Sequence, residues 1–153
     1  MDDLKFDSLK LEHQLCFPLY AASREIIKQY KPFLDRLDLT YTQYIAMMLL
    51  WEHKTMTAKE MGERLYLDSG TLTPLLKKME SKGLLARCRS VTDERNLQVS
   101  VTEKGMQLRL QATDIPAKMA SCSRLDPQEA LLLYRILYKI LEGPRGSTAQ
   151  PPT

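Results

Sequence analysis

The 153-residue sequence predicts a mainly α fold with a small β-wing, a winged helix-turn-helix held between N- and C-terminal dimerisation helices. Three observations predict it. The run from Thr57 to Gly105 reads in order as a capped short helix, a tight turn, a second helix and an arginine-bearing hairpin. The segments at the two ends of the chain are apolar on more sides than a surface helix needs. Positive charge gathers locally: Lys77, Lys78, Lys82, Arg87, Arg89 and Arg95 stand against Glu80, Asp93 and Glu94, although the whole chain carries only +3.

From Leu9 to Leu37 apolar residues recur at three- and four-residue steps through Leu15, Leu19, Ala22, Ile26 and Tyr30. Pro18 is expected to kink this helix or to mark its first turn. A second helix is expected from about Thr42 to His53, with Ile45, Met48, Leu49 and Glu52 in one phase. Thr57-Ala-Lys-Glu60 is a capping box, in which hydroxyl and carboxylate each satisfy the other residue's amide. The short helix it starts ends near Leu65. A turn through Leu67 and Asp68 then leads to Ser69 as the next cap.

The helix from Gly70 to Ser81 aligns Leu72, Leu75, Leu76 and Met79 as one stripe, with Pro74 tolerated in its first turn. Gly83 suits the left-handed position that closes it. Leu84 to Arg89 and Leu97 to Val101 alternate at period two, and Ser90 to Asn96 joins them as a wing tip. Thr102 caps a helix running towards Ile115, where Pro116 interrupts it. Asp126-Pro127-Gln128-Glu129 supplies a cap, a first-position proline and a returning glutamate for a final helix, Ala130 to Leu141. Residues 143–153, GPRGSTAQPPT, have the composition of a disordered tail.

The charged start MDDLKFDS is no signal peptide, and the apolar run Ile45 to Trp51 is too short to cross a bilayer, so a cytoplasmic protein is expected. Three cysteines without CxxC spacing and only two histidines, His13 and His53, make no zinc pattern, and no cofactor is expected. The greasy terminal helices need a covering surface that the small middle segment does not offer. A twofold homodimer supplies it and presents two reading heads to a palindromic double-stranded DNA site, about one helical turn apart. Cover within one monomer is the competing arrangement.

On the second helix of the reading head, Ser69, Thr71, Thr73, Lys77 and Lys78 lie opposite the apolar stripe, as residues for base edges and phosphates do. Arg95, with Asp93 two residues earlier, suits a minor groove, while Arg87 and Arg89 either bind phosphates or brace the wing. Cys16 lies beside the Leu15–Leu19 stripe, where a cysteine is ordinarily a small core residue. His13 and Tyr20, each one turn away, can reach its sulfur, and a donor or positive charge there favours the thiolate. Cys88 reads as incidental on the first wing strand, and Cys122 lies in the weakly structured stretch before the last helix, where a flexible sulfur has the access that a resolving partner for an oxidised cysteine needs.

Three stretches, QLCFPLYAASREI, LDLTYTQYIAMMLLWEH and GERLYLDSGTLTPLLKKMESKGLLARCRSVTDER, resemble the MarR family of transcriptional regulators and, within it, the organic-hydroperoxide-sensing OhrR branch. The similarity runs from roughly Leu11 to Leu141. It implies a single domain over residues 9–142, with the winged helix-turn-helix at approximately 40–105 and dimerisation helices at approximately 9–37 and 113–142, after an N-terminal extension of residues 1–8. It assigns peroxide sensing to Cys16 and support of the sulfur to the hydroxyls of Tyr30 and Tyr41. It also implies a disulfide after oxidation, formed with a small cellular thiol or with Cys122 of a second copy, and then release of DNA. The expected function is a redox-sensing repressor rather than an enzyme. A regulator of broader oxidants or of a small phenolic ligand, and a thiol-based redox enzyme, are the alternatives.

Overall fold

Methionine and leucine side chains from the middle of the chain close a single core, in which Met47, Leu50, Met61, Leu76, Met79, Leu85, Val99 and Ile115 are almost wholly removed from solvent. The computed structural model describes residues 7–89 and 97–142. A short 3-10 turn, Leu11–His13, precedes α1 (Cys16–Asp35) and α2 (Tyr41–His53). Then come β1 (Thr55–Thr57), α3 (Ala58–Leu65), α4 (Ser69–Ser81), β2 (Leu85–Arg89) and β3 (Leu97–Val101). The chain continues through α5 (Glu103–Ala112), α6 (Ile115–Cys122) and α7 (Pro127–Glu142).

Local chemistry accounts for the helix starts. Thr40 and Gln43 form a capping box on α2, with the Gln43 amide donating to Thr40 Oγ1 over 3.3 Å and the Thr40 amide to Gln43 Oε1 over 3.1 Å. Thr57 and Glu60 do the same on α3 at 3.1 and 2.8 Å, as the sequence predicts. On α4 the cap is Asp68, not Ser69: the Thr71 amide donates to Asp68 Oδ1 over 2.8 Å, and Ser69 becomes the first helical residue. An ionised carboxylate is a stronger acceptor than a hydroxyl, which is why the cap falls one residue earlier. Thr102 caps α5, and Asp126 with Glu129 caps α7.

Four further differences from the sequence reading have physical causes. The first helix starts at Cys16, so Pro18 falls in its first turn and Leu9 to Leu15 lie outside it. In α2 the buried face is Gln43, Tyr44, Ala46, Met47, Leu50 and Trp51; Ile45 and Leu49 are only partly covered, and Met48 and Glu52 are exposed. This helix is enclosed on more than one side, and apolar spacing then does not single out a face. The helix begun at Thr102 stops at Ala112, short of Ile115, and Pro116 sits in the first turn of a separate helix α6, where a proline gives up no needed donor. The sheet has three strands, not two: β1 joins the hairpin in the order β1-β3-β2, all antiparallel, with Met56 opposite Val99.

The wing root is tied to the core at Gly105. Trp51 Nε1 donates to the Gly105 carbonyl over 2.8 Å, and a Cβ on Gly105 would stand 2.2 Å from the Leu84 carbonyl. Gly83, with φ 72°, makes the left-handed turn between α4 and β2. No described helix is long and apolar enough to cross a membrane.

Candidate nucleic-acid interface and cysteine positions

Helices α3 and α4 meet at a turn whose Tyr66 takes φ 56°, and Gly62 lets the turn close: a Cβ there would come within 2.9 Å of the Leu67 carbonyl. Burial of Leu72, Leu76 and Met79 turns the other side of α4 outward. Ser69, Thr73 and Lys77 therefore stack at four-residue steps along an exposed ridge, with Thr71 and Lys78 beside it. Asp68 holds the α4 N-terminus; the Thr71 amide bond keeps its carboxyl below the usual carboxylate range. An open cleft of about 390 Å³ runs between the two helices, lined by Lys59, Glu63, Asp68, Ser69 and Thr73 over an apolar floor. A helix presented in this way, hydroxyls first and lysines behind, fits the major groove of DNA.

On the wing, strand alternation separates neighbours. Arg87 and Arg89 share the face of Leu85, while Ala86 and Cys88 take the opposite one. Arg87 is turned back on α4: its Nε and Nη2 donate to Glu80 Oε2 over 2.9 and 2.7 Å, and its amide donates to Glu80 Oε1 over 3.1 Å. Those donors hold the Glu80 carboxyl below its ordinary range. Arg89 is exposed. Asp93 and Arg95 lie outside the described residues.

All three cysteines are free and exposed. Cys16 is the first residue of α1 and stands in solvent rather than in a core. The two neighbours that helical spacing brought near it are engaged elsewhere: His13 Nδ1 lies 2.8 Å from the Asp7 carbonyl, and Tyr20 accepts from Arg24 over 2.9 Å. His13 belongs to the separate 3-10 turn, so the one-turn spacing does not carry across.

Tyr30 and Tyr41 do come together, with ring centroids 4.9 Å apart. Sequence reasoning missed the third member, Tyr44, 6.0 Å from Tyr30 and itself packed on Trp51 at 6.1 Å. The signal was the i, i+3 spacing of Tyr41 and Tyr44 on one helix. Burial pushes all three phenols up from 10.0, and mutual repulsion of the phenolates adds to the shift at Tyr30 and Tyr44. Tyr30 is fourteen residue steps along α1 from Cys16, roughly 21 Å along its axis.

The other end of α1 meets α6. Arg36 lies 3.8 Å from Asp114, and Lys118 Nζ stands 5.7 Å from the centre of the Phe33 ring. Cys122 is one turn beyond Lys118. Phe33 is roughly 25 Å along α1 from Cys16, and that turn spans only about 6 Å, far from the separation a disulfide bridges.

Comparison with known proteins agrees with this geometry. Residues 28–110 match the family model described as transcriptional regulator SarA/Rot. The chain is 56% identical over 138 residues to the organic hydroperoxide resistance transcriptional regulator of Bacillus subtilis, covering 90% of this chain and 94% of that protein. Among solved structures, reduced AbfR bound to DNA is 32% identical with a TM-score of 0.75, over 92% of this chain and 97% of that one. The disulfide form of AbfR, a Staphylococcus epidermidis protein, is equally 32% identical but has a TM-score of 0.63, over 93% of this chain and 100% of that one. The reading head, the wing and a match of this extent lead to one conclusion: the chain belongs to the MarR family of winged-helix, DNA-binding transcriptional regulators, in its organic hydroperoxide resistance branch.

Proposed function

We propose that this regulator is a homodimeric repressor that holds a palindromic operator while Cys16 is reduced and releases it when an organic hydroperoxide oxidises that sulfur. The observation that carries the reading is Cys16 itself, a free, exposed thiol at the start of α1, to which the resemblance assigns peroxide sensing. In the first step sulfur attacks the terminal peroxide oxygen, the O–O bond breaks, and the alkoxide takes up a proton and leaves as alcohol. Sulfur loses two electrons and becomes a sulfenic acid, and the peroxide is reduced by the same two. A second thiol then displaces water to give a disulfide.

Tyr30 and Tyr41 act on the sulfur from the partner protomer, because within one chain helix length keeps them roughly 21 Å away. Their raised pKa values support a role as neutral hydroxyl donors at physiological pH. For the same reason of reach, Cys122 of the partner resolves the sulfenic acid, unless a small cellular thiol arrives first. Ser69, Thr71, Thr73, Lys77, Lys78, Arg89 and Arg95 meet the DNA, and Asp93 braces Arg95.

Operator binding measured before and after one equivalent of cumene hydroperoxide tests the reading. Oxidation is expected to weaken wild type by about 5- to 150-fold and to leave Cys16→Ser bound; a wild type that stays bound overturns it.

A further inference from the structure

Arg87 and Arg89 differ by two residues and share a face of β2, yet only Arg89 projects freely. The Arg87 side chain is 19% exposed, with both oxygens of Glu80 occupied by three of its donors. The amide bond is informative. In the register Arg87↔Val99, an Arg87 amide that donates to Glu80 points away from β3. Glu80 therefore covers the open edge of β2 as well as neutralising the guanidinium. Glu80 stands on the last turn of α4, the same helix whose first turns carry the exposed hydroxyls proposed above to meet the DNA.

We propose that Glu80 is a positioning residue for DNA recognition. With Arg87 it forms a strut that sets the angle between α4 and the wing, so that helix and wing tip enter successive grooves together, and neither residue touches DNA. The return strand is anchored separately: Thr102 Oγ1 donates to the Gly83 carbonyl over 2.6 Å and Lys104 Nζ to the Lys82 carbonyl over 2.7 Å. Both anchors hold the turn below the wing. The Glu80–Arg87 strut alone among these ties joins the outgoing strand to the body of α4 and so resists tilting of the whole hairpin.

The full-length dimer with Glu80→Gln, Arg87→Ala or Arg89→Ala tests this, with operator affinity measured across a salt series. Arg89→Ala is expected to lower the salt slope by about 2, one phosphate from each protomer. Arg87→Ala is expected to weaken binding while leaving the slope unchanged. For Glu80→Gln the sign decides. If Arg87 were a phosphate ligand held back by Glu80, removing the carboxylate would tighten binding; the strut predicts weakening by about tenfold, the worth of one charge-assisted hydrogen bond. Hydroxyl-radical footprints of the same variant are expected to lose the outer protection from the wing and keep the inner protection from α4. Tighter or unchanged binding by Glu80→Gln, or a fall in slope for Arg87→Ala equal to that for Arg89→Ala, overturns the proposal. The Arg87→Ala slope decides the matter alone if Glu80→Gln does not fold.

Discussion

At the residue scale, three tyrosines gathered between α1 and α2 stay protonated because their surroundings disfavour a phenolate. Two consequences follow from the sign of that shift. A phenol whose folded pKa lies above its unfolded value of 10.0 keeps its full stabilising contribution below pH 10 and loses it as pH climbs through the folded value. Stability measured by urea unfolding is therefore expected to fall above pH 10, and less steeply in Tyr30→Phe. The second consequence is kinetic. Tyr30→Phe and Tyr41→Phe are each expected to slow sulfenic acid formation at Cys16 by about tenfold, the loss of one hydrogen bond to a charged sulfur; stopped-flow oxidation checks this, and an unchanged rate removes the tyrosines from the site. None of this was legible from periodicity. Tyr30 and Tyr41 are eleven residues apart across a turn, so only a family motif links them, and Tyr44 is hidden because the enclosed α2 offers no single apolar face to read.

At the element scale, stability rests on caps and on one close approach. Thr57→Ala breaks the α3 capping box and is expected to cost about 1 kcal/mol in chemical denaturation. Gly105→Ala drives a methyl against the Leu84 carbonyl and Val101, and a loss of about 3 kcal/mol is expected where nothing can yield. The sequence was most informative where a helix has one dry side and one wet side, as in α4: its leucine stripe, its outward hydroxyls and Gly83 were all readable. It was least informative where cover comes from several directions. The enclosed α2 shows no single face, and the three-residue β1 is too short to alternate; it exists because β3 offers it an edge. Glu80 and Arg87 stand seven residues apart on either side of the turn at Gly83, so composition recorded only two opposite charges. His13 lies outside the helix that starts at Cys16, so the one-turn count does not reach it, while Tyr20 does stand one turn along that helix but accepts from Arg24.

At the scale of the whole molecule, the helices near the two ends of the described chain carry exposed apolar faces. No residue of α7 is buried, Leu131, Leu132, Ile136 and Ile140 stand 46–59% exposed, and Phe17, Leu19 and Tyr20 in the first half of α1 are exposed as well. Apolar surface of that extent is typical of an interface; in the proposed homodimer a twofold partner would cover both helices and bring Tyr30, Tyr41 and Cys122 of one chain towards Cys16 of the other. Leu132→Glu with Ile136→Glu is expected to yield a monomer in sedimentation and to abolish tight operator binding, since one head retains only half the contacts; a variant that stays dimeric contradicts this use of α7. The central claim is that the redox state of one sulfur sets the affinity of the dimer for DNA. Its most direct test is a titration of the operator-bound dimer with cumene hydroperoxide, following fluorescence anisotropy and the intact mass of the protein in the same samples. Release is expected to rise in step with oxidation of Cys16 and to be complete at one equivalent per protomer. Cys16 oxidised with the operator still bound, or the operator released with Cys16 still reduced, would contradict the account.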